Sequence, residues 1–223
     1  MIFRQAAYVD IPPEGHPNRW RILAILNLSL VMVVVAVSSL NVAIPSLQRA
    51  LRADASELQW IVDAYALVFA GFLLPAGALG DKYGRKGALL VGLTIFGVAA
   101  LGGTLATSST QLIAVRAVMG LGAALIMPAT LSIITTVFPP HERAKAIASW
   151  AGLAGAGGAI GPVLAGLLLE RFWWGSVFLL NVPFVIVLFV LASRFVPSSR
   201  DPQDAPLDPV GSVASVVALG SLL

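Results

Sequence analysis

Six apolar stretches constrain this chain more than any other feature of its sequence. They lie near residues 22–45, 60–78, 88–106, 112–137, 146–169 and 175–193. Each approaches or exceeds the roughly 20 apolar residues that carry a helix across a bilayer. The chain is 58% hydrophobic and only 11% charged, whereas a soluble domain carries about 25% charged residues. One core of this size cannot hide so much apolar surface, so lipid must cover part of it. Within lipid each backbone group needs an internal partner, which makes such stretches helices. The expected fold is therefore an all-α polytopic membrane protein with six spans in one bundle. A seventh apolar stretch starts near Pro209, and the sequence stops inside it at Leu223. A fragment or truncated product is the expectation from that stop. The organisation expected is a tail at 1–21, a six-span unit at 22–193, a loop at 194–208 and the start of a seventh span at 209–223.

Loop charges set an expected orientation. Arg4, Arg19, Arg21, Lys82, Arg85, Lys86, Arg143, Lys145, Arg194 and Arg200 fall on one side, and Arg49, Arg52 and Arg171 on the other. Ten against three places the N-terminus and the ends of the six-span unit in the cytoplasm. Residues 1–20 have no apolar core of the signal-peptide kind, so the first span is expected to direct insertion into the cell membrane. Trp20, Trp60, Trp150, Trp173 and Trp174 are expected at span ends, as an aromatic belt. The net charge of +3 comes from these clusters, so a nucleic-acid partner is not expected.

Enzyme chemistry finds little support. There is no cysteine, hence no disulfide or thiolate metal site. His16 and His141 sit in the expected cytoplasmic segments without metal-ligand spacing, and both read as solvated residues. No HExxH, GxSxG or phosphate-loop pattern occurs. No catalytic residue, metal or cofactor is expected.

Charges inside the spans are costly and point to function. Asp63 in span two lies about one turn in from Trp60, and Arg116 in span four a little over one turn in from Gln111. A rise of about 1.5 Å per residue puts each roughly 5–8 Å deep, at nearly one level. Asp63 reads as a protonatable carboxylate, its affinity for a proton raised by burial and lowered by a nearby Arg116. The competing reading is a structural ion pair, or an Asp63 close enough to the interface to reach water. The stretch Gly77-Ala78-Leu79-Gly80-Asp81-Lys82-Tyr83-Gly84-Arg85-Lys86 is expected to form a tight loop between spans two and three. Its glycines permit the turn, Asp81 favours the positive end of span three, and its bases keep it in the cytoplasm. Span five is rich in glycine and alanine, which lets membrane helices approach closely.

At Gly77–Lys86 the chain resembles the major facilitator superfamily: glycine, three residues, acid, base, any residue, glycine and two bases. Arg116-Ala117-Val118-Met119-Gly120 resembles the family's arginine segment, implicated in proton coupling. The stretch from Gly157 through Gly161 and Pro162 to Gly166 resembles the antiporter motif of exporters, with Ala165 at a usual glycine. Asn41-Val42-Ala43-Ile44-Pro45, read as ending span one, and Trp60-Ile61-Val62-Asp63-Ala64-Tyr65 resemble the fourteen-span drug:proton antiporters of the QacA/EmrB type. That subfamily often has an acid where this chain has Ala36, which moves weight onto Asp63 and away from dicationic substrates. The resemblance covers about residues 20 to 210. It implies the N-terminal six-helix bundle of the major facilitator fold, working with a second bundle by alternating access. The Gly77–Lys86 loop would latch the cytoplasmic side, with Asp81 facing the second bundle. The short segment Pro197–Asp208 favours fourteen spans over twelve. The implied activity is proton-driven export of hydrophobic or cationic small molecules such as drugs. The alternatives are an uptake symporter on the same fold and a half-transporter or membrane scaffold without transport of its own.

Overall fold

The computed structural model describes residues 13–200. Among these residues the regular structure is entirely helical: α1 Arg19–Leu51, α2 Ala55–Tyr83, α3 Arg85–Thr104, α4 Ser109–Val137, α5 Pro140–Leu169, α6 Ser176–Leu179 and α7 Asn181–Phe195. Only Leu180 separates α6 from α7, and Ser176–Phe195 counts as one apolar helix of membrane length. Six such helices result, one for each expected span. The expected seventh span and most of the expected 194–208 loop lie outside the described residues.

The helices outrun the apolar stretches that announce them. Hydropathy marks where lipid begins, whereas a helix ends where its terminal backbone groups find other partners. Arg19 and Arg21, expected in a tail, lie in the first turn of α1. Pro45, expected to end span one, sits inside α1, which runs on to Leu51. Helix α2 starts at a capping box: the Asp54 carboxylate accepts from the Glu57 amide at 2.8 Å, and the Glu57 carboxylate from the Asp54 amide at 3.0 Å. Exchanging such a cap for alanine costs roughly 1 kcal/mol. Helix α4 starts where Ser108 Oγ accepts from the Gln111 amide at 3.3 Å.

Helix α4 is the centre of the bundle, with α2 and α3 on two of its sides. Glycines set both approaches. A Cβ on Gly122 would stand 2.8 Å from the Phe96 nitrogen, and one on Gly92 would stand 2.8 Å from the Gly122 carbonyl. Helices α1 and α5 form a second close pair, and α7 packs on α3 beside Gly97. In lipid, where water gives no drive to pack, such backbone proximity supplies much of the association.

The basic end of the bundle, where α1 begins and α4 ends, carries a clasp. Gly15 adopts φ +86°, a conformation that glycine takes without strain, and it lies against Pro139. The His16 amide donates to the Val137 carbonyl at 2.9 Å. Arg19 and Glu142 form a two-bond ion pair at 2.6 and 3.1 Å. The Trp20 ring meets Phe138 edge-on at 5.1 Å, and the Lys145 ammonium lies 5.4 Å from the Trp20 ring centre. His16 is thus half-buried and bonded rather than freely solvated, while His141 is exposed as expected. Trp150 also departs from expectation. It lies well inside α5, and its indole donates to Thr130 Oγ1 of α4 at 3.2 Å, because α5 begins ten residues before it.

Burial pulls the His16 pKa below its ordinary 6.5, and Nδ1 accepts from the Asn18 amide at 3.1 Å, which requires the neutral ring. The folded clasp therefore disfavours the protonated form. Its stabilisation is present above pH 6.5 and is lost as pH falls through the depressed folded value. Amide protection of His16 and Arg19, corrected for intrinsic exchange, should decline as the pH is lowered below 6.5. Constant protection across that range would contradict this account.

Candidate functional site

Arg116 lies seven residues into α4, roughly 10 Å along its axis, and only 1% of it is exposed. Its Nε donates to the Ile61 carbonyl of α2 at 3.0 Å. A helical carbonyl has a second lone pair beyond its own helix bond, so it can accept this donor. The guanidinium carbon stands 4.4 Å from the centre of the Tyr65 ring. A desolvated cation over an aromatic face is stabilised by about 2 kcal/mol. Gly120, one turn after Arg116, makes these contacts possible. A Cβ there would come within 2.5 Å of the Tyr65 carbonyl and 3.2 Å of the Phe69 nitrogen. The bare glycine thus lets α2 and α4 touch backbone to backbone, and Arg116 reaches across at the next turn.

Asp63 belongs to the same stretch of α2, between Ile61 and Tyr65, and so shares the level of Arg116 as expected. It does not share the contact. The ion pairs among the described residues are Arg19–Glu142 and Asp81–Arg85, and none joins Asp63 to Arg116. Ile61 and Tyr65 are four residues apart and lie on one face of α2, the face against α4. Asp63 is about 200° further round than Ile61 and lies on the other side. The carboxylate is half-buried there. A fixed cation and a partly accessible acid are thus separated by the width of one helix. Ala36, where the resembled exporters often have an acid, is buried in α1.

The stretch expected as a loop between spans two and three is almost wholly helical. Asp81 and Lys82 end α2, Arg85 and Lys86 open α3, and Gly84 alone makes the turn, with φ 122° and ψ 121°. Only glycine takes that conformation readily. The charges bond the corner to its neighbours. Arg85 Nε pairs with Asp81 Oδ1 at 2.6 Å. Arg85 Nη1 reaches the Ser132 carbonyl at 3.4 Å and also Thr136 Oγ1, both near the end of α4. Lys86 Nζ donates to the Ser193 carbonyl of α7 at 2.8 Å, and the Arg85 amide donates to the Ser199 carbonyl. Gly77 faces Pro128 of α4, and Gly80 faces Ala88 of α3.

The small residues of α5 divide by face. Gly157 and Gly161 lie against α1, where added Cβ atoms would meet Val34 and the Val35 carbonyl. Ala165, one turn on, is fully buried in the same line. Gly166 faces open space, as do Gly152, Gly155 and Gly158, and Pro162 is half-buried. Among the described residues no acid–histidine cluster could hold a metal.

Sequence reasoning missed Tyr65 and Thr136 as site residues. The available signal was spacing: Tyr65 is one turn from Ile61, and Ser132 and Thr136 are one polar turn near the end of an apolar span. Gly120→Ala should lower stability by about 1–3 kcal/mol, through overpacking at the α2–α4 contact. Gly152→Ala, which meets nothing, should change stability by less than about 0.5 kcal/mol. Unfolding of the chain in mixed detergent micelles measures both, and equal effects would contradict the assigned contact.

The chain matches the family model described as Major Facilitator Superfamily over residues 26–223. It is 42% identical over 203 residues to the methyl viologen resistance protein SmvA of Salmonella typhimurium, covering 91% of this chain and 41% of that protein. It is also 42% identical to the multidrug efflux pump LfrA of Mycolicibacterium smegmatis, with the same coverage. The methylenomycin A resistance protein of Bacillus subtilis is 34% identical, over 90% of this chain and 43% of its own length. The chain thus spans about two-fifths of these relatives. A crystal structure of the peptide transporter POT in complex with sulfate superposes with a TM-score of 0.74 at 16% identity, over 95% of this chain and 46% of that one. With six helices of membrane length and this family match, the chain is a multi-pass membrane protein that belongs to the Major Facilitator Superfamily, a family of transporters.

Proposed function

We propose that the chain forms the first six-helix bundle of a proton-coupled antiporter that exports hydrophobic or cationic small molecules. The observation that carries this reading is the placement of one fixed and one titratable charge at a single level of the membrane. Arg116 is buried and held by α2, while Asp63 is partly accessible on the far side of that helix. A half-buried carboxylate can exchange a proton for a cation, because both neutralise the same charge. Relatives named for drug efflux and for resistance support export as the direction. With Ala36 in α1, Asp63 bears this load without the acid found there in many resembled exporters. That favours neutral and monovalent substrates over dications.

In this reading the proton gradient drives the cycle, and no bound cofactor or catalytic step is needed. The basic end faces the cytoplasm, in keeping with the ten-to-three asymmetry of its bases, and the host membrane is the cell membrane. A second bundle completes the cavity, and the two halves rock about it. The Gly84 corner serves as the cytoplasmic latch. Asp81 keeps over a third of its side chain exposed while paired to Arg85, which leaves it able to accept from a helix of the second bundle.

The test uses the complete transporter, this chain joined to its second bundle. Asp63→Asn should still insert but should lose gradient-driven efflux of a monocationic dye. A protonophore should reduce wild-type efflux to the same level. Efflux that stays coupled to the gradient in the variant would refute the role given to Asp63.

A further inference from the structure

Tyr65 lies where the two charges of the proposed mechanism meet the same turn of α2. It is 4% exposed. One face of its environment is the Arg116 guanidinium at 4.4 Å. The Phe69 ring, one turn along α2, stacks near it at 6.1 Å with 12° between planes. Its backbone carbonyl lies under Gly120. Its hydroxyl, by contrast, has no hydrogen-bond partner among the described residues. Buried tyrosine hydroxyls usually find a partner, so the contact that Tyr65 offers here is its ring face. Arg116 is likewise bonded through Nε alone, with Nη1 unpartnered among the described residues. One hydrogen bond does not fix a guanidinium plane. The ring supplies the second restraint.

We propose that Tyr65 is a positioning residue whose ring face seats the Arg116 guanidinium at the α2–α4 contact. The seat keeps that charge at one place while Asp63, on the far side of the same turn, gains and loses its proton. The proposal rests on the antiporter reading and adds a residue that acts through Arg116, without contact to substrate. It separates ring from hydroxyl: the aromatic face is required, and the phenolic oxygen is dispensable.

The experiment compares variants of the complete transporter in proteoliposomes. Proton-gradient-driven efflux of a monocationic dye is read beside gradient-free exchange of the same dye. Tyr65→Phe should retain driven efflux within about twofold, because a benzene face also attracts a cation. Tyr65→Leu should lose about tenfold or more in maximal driven rate, while exchange and the dye concentration at half-maximal rate change little. Combining Tyr65→Leu with Arg116→Ala should add nothing to the loss from Arg116→Ala alone. Should Tyr65→Leu fail to insert, phenylalanines carrying one, two or three ring fluorines at this position preserve shape while weakening the ring's attraction for a cation. Driven efflux should then fall stepwise with fluorination. A flat fluorine series, loss in Tyr65→Phe equal to that in Tyr65→Leu, or full additivity with Arg116→Ala would each overturn the proposal. Wild-type efflux that ignores the gradient is a different failure. It removes the antiporter reading and the coupling role together. The same fluorine series, read as the unfolding midpoint in micelles, then decides whether the ring seats Arg116 at all.

Discussion

The approach of α2 to α4 at Gly120 is the contact on which the candidate site depends. Lipid gives helices little hydrophobic reason to associate, so closeness of backbones must supply the attraction. Gly120 brings the α2 backbone near, and one turn away Arg116 finds the Ile61 carbonyl and the Tyr65 ring. A guanidinium placed in hydrocarbon is otherwise unfavourable by at least about 2.5 kcal/mol. Here the same contact that packs the helices also solvates the charge. On the other side of α4, Gly122 performs the packing half of this task against α3, with no charge to house.

The two ends of the bundle are organised differently from its middle. At the basic end ionic groups tie helix termini together across the chain. Arg19 reaches Glu142, Arg85 bridges α2 and α4, and Lys86 donates to the Ser193 carbonyl in the last turn of α7. A lysine at a helix C-terminus complements the partial negative charge there. At the opposite end Glu57 of α2 accepts from Ser109 of α4. The α2–α4 pair is thus fixed at both ends and in its middle, which suits a unit that moves as a rigid body. On α5, by contrast, one line of small residues is spent against α1 while another faces open space.

Much of this was legible in the sequence, and the losses have physical causes. Six helices followed directly from six apolar stretches, since lipid leaves such backbone no other state. Burial of Arg116 and the shared level of Asp63 followed from counting residues into a span. Their separation did not, because it depends on which face of α2 meets α4. The clue lay in phase: Ile61 and Tyr65 are one turn apart, and Asp63 is half a turn from each. The Gly77–Lys86 stretch is recognisable as a unit in the sequence, but its fall in hydropathy points to a loop. Hydropathy falls at Asp81 and Lys82, yet their backbone stays helical until Gly84. Likewise Trp150 sits near the start of its apolar stretch but ten residues inside α5, because the helix begins at Pro140, ahead of that stretch. Tyr65 falls within the Trp60–Tyr65 resemblance, but an aromatic in a membrane helix carries no mark of which side chain will lie on its face.

The central claim is that Asp63 exchanges a proton for the substrate while Arg116 remains a fixed charge. Proton release on substrate addition, measured in a weakly buffered solution of the purified complete transporter, tests it most directly. The account predicts release from wild type, release from an Arg116→Lys protein that keeps the positive charge, and none from Asp63→Asn. Equal release from wild type and Asp63→Asn would contradict it.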